Sequence, residues 1–446
     1  MKIFFVSLGC DKNLVDSEVM LGLLSKEGFE ITGDESEAEV IVVNTCCFIG
    51  DAKEESINTL LEMARWKEDG VCQVLVAAGC LAQRYREEIL TEMPEVDAIL
   101  GTASYQEIGR VVREALEKKV PSQTFLSIDE TPERTAARML TTGGHYAFLK
   151  IAEGCDKHCT YCVIPQVRGR YRSVPMEELL AEAGELAAGG VRELILVAQE
   201  TTLYGTDLYG HKALPELLTR LAEIEDLEWI RIQYCYPEEI TDELIRVIRD
   251  EPKVCSYLDI PIQHASDAVL KRMGRRTTEA EIRAMVERLR REIPCITLRT
   301  TLISGFPGET EEDHERLLDF VDEMEFDRLG VFAYSQEEGT PAAVMADQIP
   351  EEVKEARRDE VMELQQEISL EKCQEMIGRK LTVMIEGRVP DENAYVGRTY
   401  RDAPDVDGYL FLNTDLELMT GDFVEVRVTG ALEYDLIGEI CDEYTE

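Results

Sequence analysis

The stretch EGCDKHCTYCVIP, residues 153–165, carries three cysteines, Cys155, Cys159 and Cys162, spaced C-x3-C-x2-C. Thiolates so close together bind metal. Structural zinc and iron–sulfur cubes both usually take four protein ligands. Three thiolates can hold three irons of a [4Fe–4S] cube and leave the fourth open to a ligand from outside. The competing reading is zinc completed by His158. That residue stands immediately beside Cys159, which makes convergence of both on one ion awkward.

Three more cysteines fall at equivalent places. Cys10 in SLGC, Cys46 in VVNTC and Cys80 in VAAGC each end a predicted strand. Ligands in parallel α/β folds collect at the carboxyl ends of strands, so these sulfurs are expected to converge into a second site with an open iron. The alternative is three buried core thiols, since free Cys is among the most buried residue types. Cys47 is adjacent to Cys46, points elsewhere and is set aside. Cys72, Cys235, Cys255, Cys295, Cys373 and Cys441 have no partner spacing and read as core or surface thiols.

The elements that must position these cysteines form three blocks. Residues 1–120 alternate short β-branched runs (KIFFVSLGC, EVIVVNTC, CQVLVAAGC) with amphipathic helices, the pattern of a parallel sheet covered on both faces. A polar connector is expected over 121–145. Residues 146–372 restart the alternation with six strand candidates: YAFLKIAEG, ELILVAQE, EWIRIQYC, YLDIPIQ, ITLRTTLISGF and RLGVFAYS. Six βα units predict an open (βα)6 partial TIM barrel, not the closed eight-unit form. A charged helix from Glu351 reads as a connector, too short in its periodicity for a coiled coil. Residues 375–446 carry short alternating segments with Gly and Asp turns, which predict a small antiparallel β-barrel. The fold class is thus α/β multidomain with a small β-barrel at the end.

Composition narrows the function. No window approaches 18 uncharged apolar residues, so no membrane span is expected. MKIFFVSLGCDKN starts straight into a strand and reads as mature protein rather than a signal peptide. Thirteen cysteines, an odd number, scattered along a large chain suit the reducing cytosol, with metal or catalysis in place of disulfides. The net charge of −43 repels phosphate backbones and attracts a basic protein. An acidic host proteome is the alternative source of that charge. The last block holds 17 Asp/Glu against 6 Lys/Arg, which argues against phosphate binding there.

C-x3-C-x2-C with Tyr161 before its last Cys, on a six-unit βα pattern, resembles the radical S-adenosylmethionine (SAM) enzymes. The resemblance implies SAM on the open iron of the Cys155/Cys159/Cys162 cluster. With a second trio and a terminal small barrel, the whole chain resembles the methylthiotransferases, which join a cluster domain, a radical SAM domain and a TRAM domain. That family implies two [4Fe–4S] clusters, the second on Cys10/Cys46/Cys80, and two SAM molecules, one methyl donor and one radical source. The stretches SLGCDKNLVDSE, DIPIQHASDAVLKRMGR and VFAYSQEEGTPAA resemble the branch that modifies the β-carbon of an aspartate in ribosomal protein S12. The branch that modifies adenosine in tRNA is expected to show Gln-Met after the first Cys, QSGS for QHAS and RPGT for EEGT. Asp11 departs from the Pro common in the S12 branch.

The resemblance implies a basic ribosomal protein as partner, an electron donor that the sequence does not name, and no nucleic-acid substrate. A two-cluster electron-transfer protein is the reading from another class; open ligand positions and a large barrel argue against it. Strand ends at Gln199, Glu200 and Gly305, with Phe306, Gly308 and Glu309 beyond, are expected at the same mouth, where the family holds SAM. The glycines serve equally as turn residues. Arg168, Arg170 and Arg172 form a basic run that steers a carboxylate or covers a solvated strand. His264 reads as a core or capping residue. The sequence shows no Ser/His/Asp triad, Walker loop or HExxH motif, and in such enzymes the cofactors carry the hard chemistry.

Overall fold

The structure is a computed structural model and describes residues 1–118, 121–130, 138–390 and 393–441. Residues 131–137, within the expected connector, and 391–392 and 442–446, within the expected last block, lie outside the described residues.

The first block forms an all-parallel six-stranded sheet. Its spatial order is Glu30–Ile31, Lys2–Ser7, Val40–Thr45, Val74–Gly79, Ala98–Leu100 and Ser122–Thr124. Val40–Thr45 and Val74–Gly79 are buried along their whole length. They read as unbroken apolar runs because helices cover both faces. Ile41, Val43, Leu75 and Ala77 feed one apolar cluster, and Val40, Val42, Val74 and Val76 feed the other. The sixth strand, Ser122–Thr124, draws the start of the expected connector into this sheet.

All six strands expected for the second block form: Tyr146–Lys150, Glu193–Val197, Trp229–Ile232, Tyr257–Asp259, Thr297–Ser304 and Arg328–Ala333. They make two parallel three-stranded halves, joined where Ile230 bridges Val254. Tyr146–Lys150 and Arg328–Ala333 do not pair with each other, so the barrel is open. The charged helix Glu351–Gln374 buries Val361 and Ile368 in the outer core of this barrel.

The last block closes into a five-stranded barrel. A ring of five strands cannot alternate direction throughout. One pair, Leu410–Asn413 with Leu436–Ile440, is accordingly parallel, and the others are antiparallel. Leu436–Ile440 is the strand that the sequence pattern does not reveal.

The three blocks share one core. Phe148, Ile195, Val197, Trp229 and Tyr257 of the open barrel pack with Val15 of the first block and with Met384 and Ala403 of the last. The small barrel meets the strand starts through buried ion pairs. Glu193 receives Arg231 Nε at 2.7 Å and Arg398 Nη2 at 2.8 Å, and Arg328 Nη2 meets Asp402 at 2.6 Å. Such pairs contribute little net stability, but leaving one partner alone costs several kcal/mol, so they fix how the blocks dock. Among the described residues no helix is long and apolar enough to cross a membrane.

Candidate active site between two cysteine-bearing edges

The strand Tyr146–Lys150 leads into Ala152–Glu153, which pairs antiparallel with Arg172–Ser173. The intervening loop is therefore clamped at its base and carries Cys155, Cys159 and Cys162. The first two are buried and the third is partly exposed. The N–H of Lys157 donates to Cys155 Sγ at 3.5 Å and that of Ile164 to Cys162 Sγ at 3.4 Å, an environment that favours negative sulfur. Burial pushes the Cys155 thiol up to about 11, and Cys159 adds to it. Cys162 is raised by burial and then by both partners.

Sulfurs that repel one another when ionised are near neighbours, and a bound cationic group would relieve both costs. His158 is exposed and adopts a left-handed backbone, φ 53°. Among the described residues no three His, Cys, Asp or Glu side chains converge on a single-ion position. Three thiols match the protein ligands of a cube with one open iron, whereas structural zinc takes four, so the donor set fits a cluster better than zinc.

The second trio is assembled from three strand ends. Cys10 caps the helix Asp11–Lys26, and Cys80 opens the helix Cys80–Glu92. Both residues therefore sit at helix N-termini, and burial raises the Cys80 thiol. Cys46 is pinned by Ser56, whose Oγ accepts the Cys46 N–H and donates to its carbonyl, both at 2.9 Å. Burial, followed by the Cys80 and Cys10 sulfurs, pushes Cys46 up to about 12. Cys47 lies in the apolar cluster with Leu60 and Leu75.

A glycine precedes Cys10, Cys80 and Cys155 alike, with φ of 89°, 89° and 77°. A Cβ on Gly9 would stand 2.7 Å from Cys46 Cβ, and one on Gly79 would stand 2.3 Å from Asn44 Oδ1. The repeated Gly-Cys dipeptide is thus the mark of a strand end turned sharply so that its sulfur faces the mouth. It is a signal in the sequence that spacing alone misses.

One short stretch of chain, Tyr234–Tyr236, contacts both cysteine-bearing regions. Tyr234 Oη donates to Asp11, next to Cys10, at 2.9 Å, and Tyr236 Oη lies 3.8 Å from Cys159 Sγ. Lys12 Nζ sits 3.3 Å over the Tyr234 ring. Directly after Cys162, Val167 packs into the core of the first block, and its carbonyl accepts Thr102 Oγ1 at 2.6 Å.

The remaining expected residues divide. Glu200 is fully buried beside the loop; its Oε2 lacks a hydrogen-bond partner and stands 3.8 Å from Lys157 Nζ. Burial pushes its carboxyl up to about 7. Gln199 Nε2 donates to Glu153 at 3.0 Å. The Tyr161 ring packs edge-on against Phe306. Gly305 has its bare face against Lys354 and gives its N–H to Glu309 at 2.7 Å, so packing accounts for that glycine. Glu309 also accepts the Phe306 N–H and meets Arg357 at 2.9 Å, which clasps the loop. Gly308 lies against the guanidinium of Arg272.

His264 is buried, as expected of a core residue, and its Nδ1 accepts the Ser266 N–H at 2.9 Å. Arg170 is exposed and Arg172 half-buried, but Arg168 is buried among carboxylates, not on a solvated face. The sequence reading missed Lys157, Tyr234, Tyr236, Asn13 and Asp16, because nothing in their spacing shows which side of a fold they face.

Family profiles match the chain in three places. Residues 2–101 match the Uncharacterized protein family UPF0004, residues 149–321 the Radical SAM superfamily and residues 377–441 the TRAM domain. Among solved structures, a radical S-adenosylmethionine methyltransferase, TsrM, from Kitasatospora setae aligns over 77% of both chains with a TM-score of 0.56. At 14% identity that likeness is one of fold.

A radical SAM barrel flanked by these two domains is the architecture of a radical SAM methylthiotransferase, and the chain is an enzyme of that class. Ribosomal protein uS12 methylthiotransferase RimO of Lachnoclostridium phytofermentans is 64% identical over 98% of this chain and 99% of its own. That of Acetivibrio thermocellus is 53% identical over 99% of each. The chain belongs to the RimO family.

Proposed function

We propose that this enzyme methylthiolates the β-carbon of an aspartate in ribosomal protein S12. Cys155, Cys159 and Cys162 would hold one [4Fe–4S] cluster with SAM on its open iron, and Cys10, Cys46 and Cys80 a second. When bound, the clusters and two SAM molecules would supply the radical and the methyl group, with sulfur from a cluster sulfide or a bound polysulfide and electrons from a separate donor. The domains assigned to this work are 1–120, 146–372 and 375–446.

The observation that carries the reading is the pairing of Tyr234 with the Cys10 edge and Tyr236 with the Cys159 edge. Residues two apart on one chain thus contact the neighbour of Cys10 and the Cys159 sulfur, which supports reading the two trios as parts of one site. The protein groups bind and orient. Glu200, buried with Lys157 3.8 Å from its Oε2, would border SAM together with Gln199 and Tyr161 on the same loop. The first block packs against the end of the loop through Val167 and Thr102, which would help limit water at the site.

Charge supports a basic protein substrate over tRNA. The chain carries −43 overall. Two of the six cations in the last block, Arg398 and Arg401, are buried in ion pairs with Glu193 and Asp327. A surface so depleted of cations repels phosphate and draws in a basic protein.

The test is anaerobic reconstitution with iron and sulfide, incubation with SAM and reductant, and mass spectrometry of both candidate substrates. A methylthio mass increase on the S12 aspartate is expected. The same increase on tRNA, with none on S12, would overturn the assignment.

A further inference from the structure

We infer that Arg168 is a positioning residue linking the two cysteine edges, set by the loop of one trio as the fixed positive charge beside the other. The inference rests on the reading that Cys10, Cys46 and Cys80 hold a cluster.

Arg168 follows Cys162 by one short helix, Ile164–Val167, that is anchored in the first block. Its side chain is 2% exposed. Nη1 contacts Asp16 at 2.6 Å and Glu153 at 3.2 Å, and Nη2 donates to Asn13 Oδ1 at 3.0 Å. Asp16 and Asn13 lie on the helix that Cys10 caps. Asn13 Nδ2 in turn donates to the Leu8 carbonyl at 2.6 Å and reaches the Asn44 and Thr45 carbonyls at 3.4 Å. Those carbonyls immediately precede the Cys10 and Cys46 turns. One guanidinium is therefore tied to the backbone that aims two of the three sulfurs.

The charges around it are balanced. Lys150 also contacts both Asp16 and Glu153, so two cations share two carboxylates. Within this square the guanidinium is the cation bonded to Asn13, whose amide reaches the carbonyls ahead of both turns, so its charge is held next to the strand-end site. Net charge and hydrogen bonds to sulfur are two of the levers that set an iron–sulfur potential. A buried cation makes added electron density cheaper, so it raises the potential.

The test uses the full chain with Cys155, Cys159 and Cys162 changed to Ala, so that only the N-terminal site loads iron. Arg168→Gln and Arg168→Lys are compared in that background by iron content and by redox titration followed by electron paramagnetic resonance. Arg168→Gln is expected to shift the midpoint to more negative potential, and Arg168→Lys, which keeps the charge, to shift it less.

Loss of iron in the Gln variant with retention in the Lys variant also supports the inference. An unchanged midpoint in Arg168→Gln, equal shifts in both variants, or iron loss in both would overturn it, since a merely structural prop behaves that way. A parent protein without iron at this site would overturn the functional reading itself, and this inference with it. Should the triple variant fail to fold, the same titration in the six-cysteine protein separates the two signals by adding SAM, which perturbs only the loop cluster.

Discussion

The two cysteine trios reach similar geometry by opposite routes. Cys155, Cys159 and Cys162 sit on one loop clamped by a two-residue ladder, so local chain geometry nearly suffices to gather them. Cys10, Cys46 and Cys80 come from three strands and meet only once Lys2–Ser7, Val40–Thr45 and Val74–Gly79 are in register. The first is a local motif on a fold, and the second is a product of the fold. Metal affinity at the proposed second site would therefore be folding free energy to a larger degree.

The largest effects separate the sites outright. Cys46→Ala and Cys159→Ala should each abolish methylthio transfer and each remove half of the iron, measured by iron analysis and product mass spectrometry. Full iron in the Cys46→Ala protein would end the comparison. Gly79→Ala forces a side chain into a φ of 89° and against Asn44 and Thr45. A loss of about 3 kcal/mol is expected from strain and overlap, read in urea unfolding, with the N-terminal cluster signal lost and the loop signal kept.

Asn13→Ala removes donors to buried carbonyls and a partner of Arg168. A cost of about 1–3 kcal/mol is expected, again with iron lost at the strand-end site alone. Cys47→Ala is the sharper control. Its side chain packs in the apolar cluster, so stability should fall by about 1 kcal/mol while both clusters persist. Smallest of all, Tyr236→Phe gives up a 3.8 Å O···S contact. Under about 0.5 kcal/mol is expected, with iron unchanged and only the resonance of the loop cluster altered.

Legibility followed the same division. The loop trio was readable from spacing because its three cysteines lie close together in the sequence. The strand-end trio was readable only through a topological rule, and its sharpest mark, the Gly-Cys dipeptide, gains meaning once the backbone at Gly9 and Gly79 is seen to be left-handed. The six barrel strands were legible as apolar runs, while Glu30–Ile31, Ala98–Leu100, Ser122–Thr124 and Leu436–Ile440 were not. They form where a neighbouring strand offers an edge. Arg168 looked like a member of a solvated run because local pattern carries no information about Asp16, which lies 152 residues away.

The sequence by itself determined the order of three domains, the open barrel, the loop cysteines and the family, because these rest on short-range periodicity and spacing. Tertiary structure alone decided that Cys47 faces the apolar cluster, that Lys354 occupies the bare face of Gly305, that the terminal barrel plugs the strand starts, and that Arg168 joins both edges. Each of those is a contact between residues far apart in the chain. Burial and charge at such contacts are settled by packing, on which local pattern is silent.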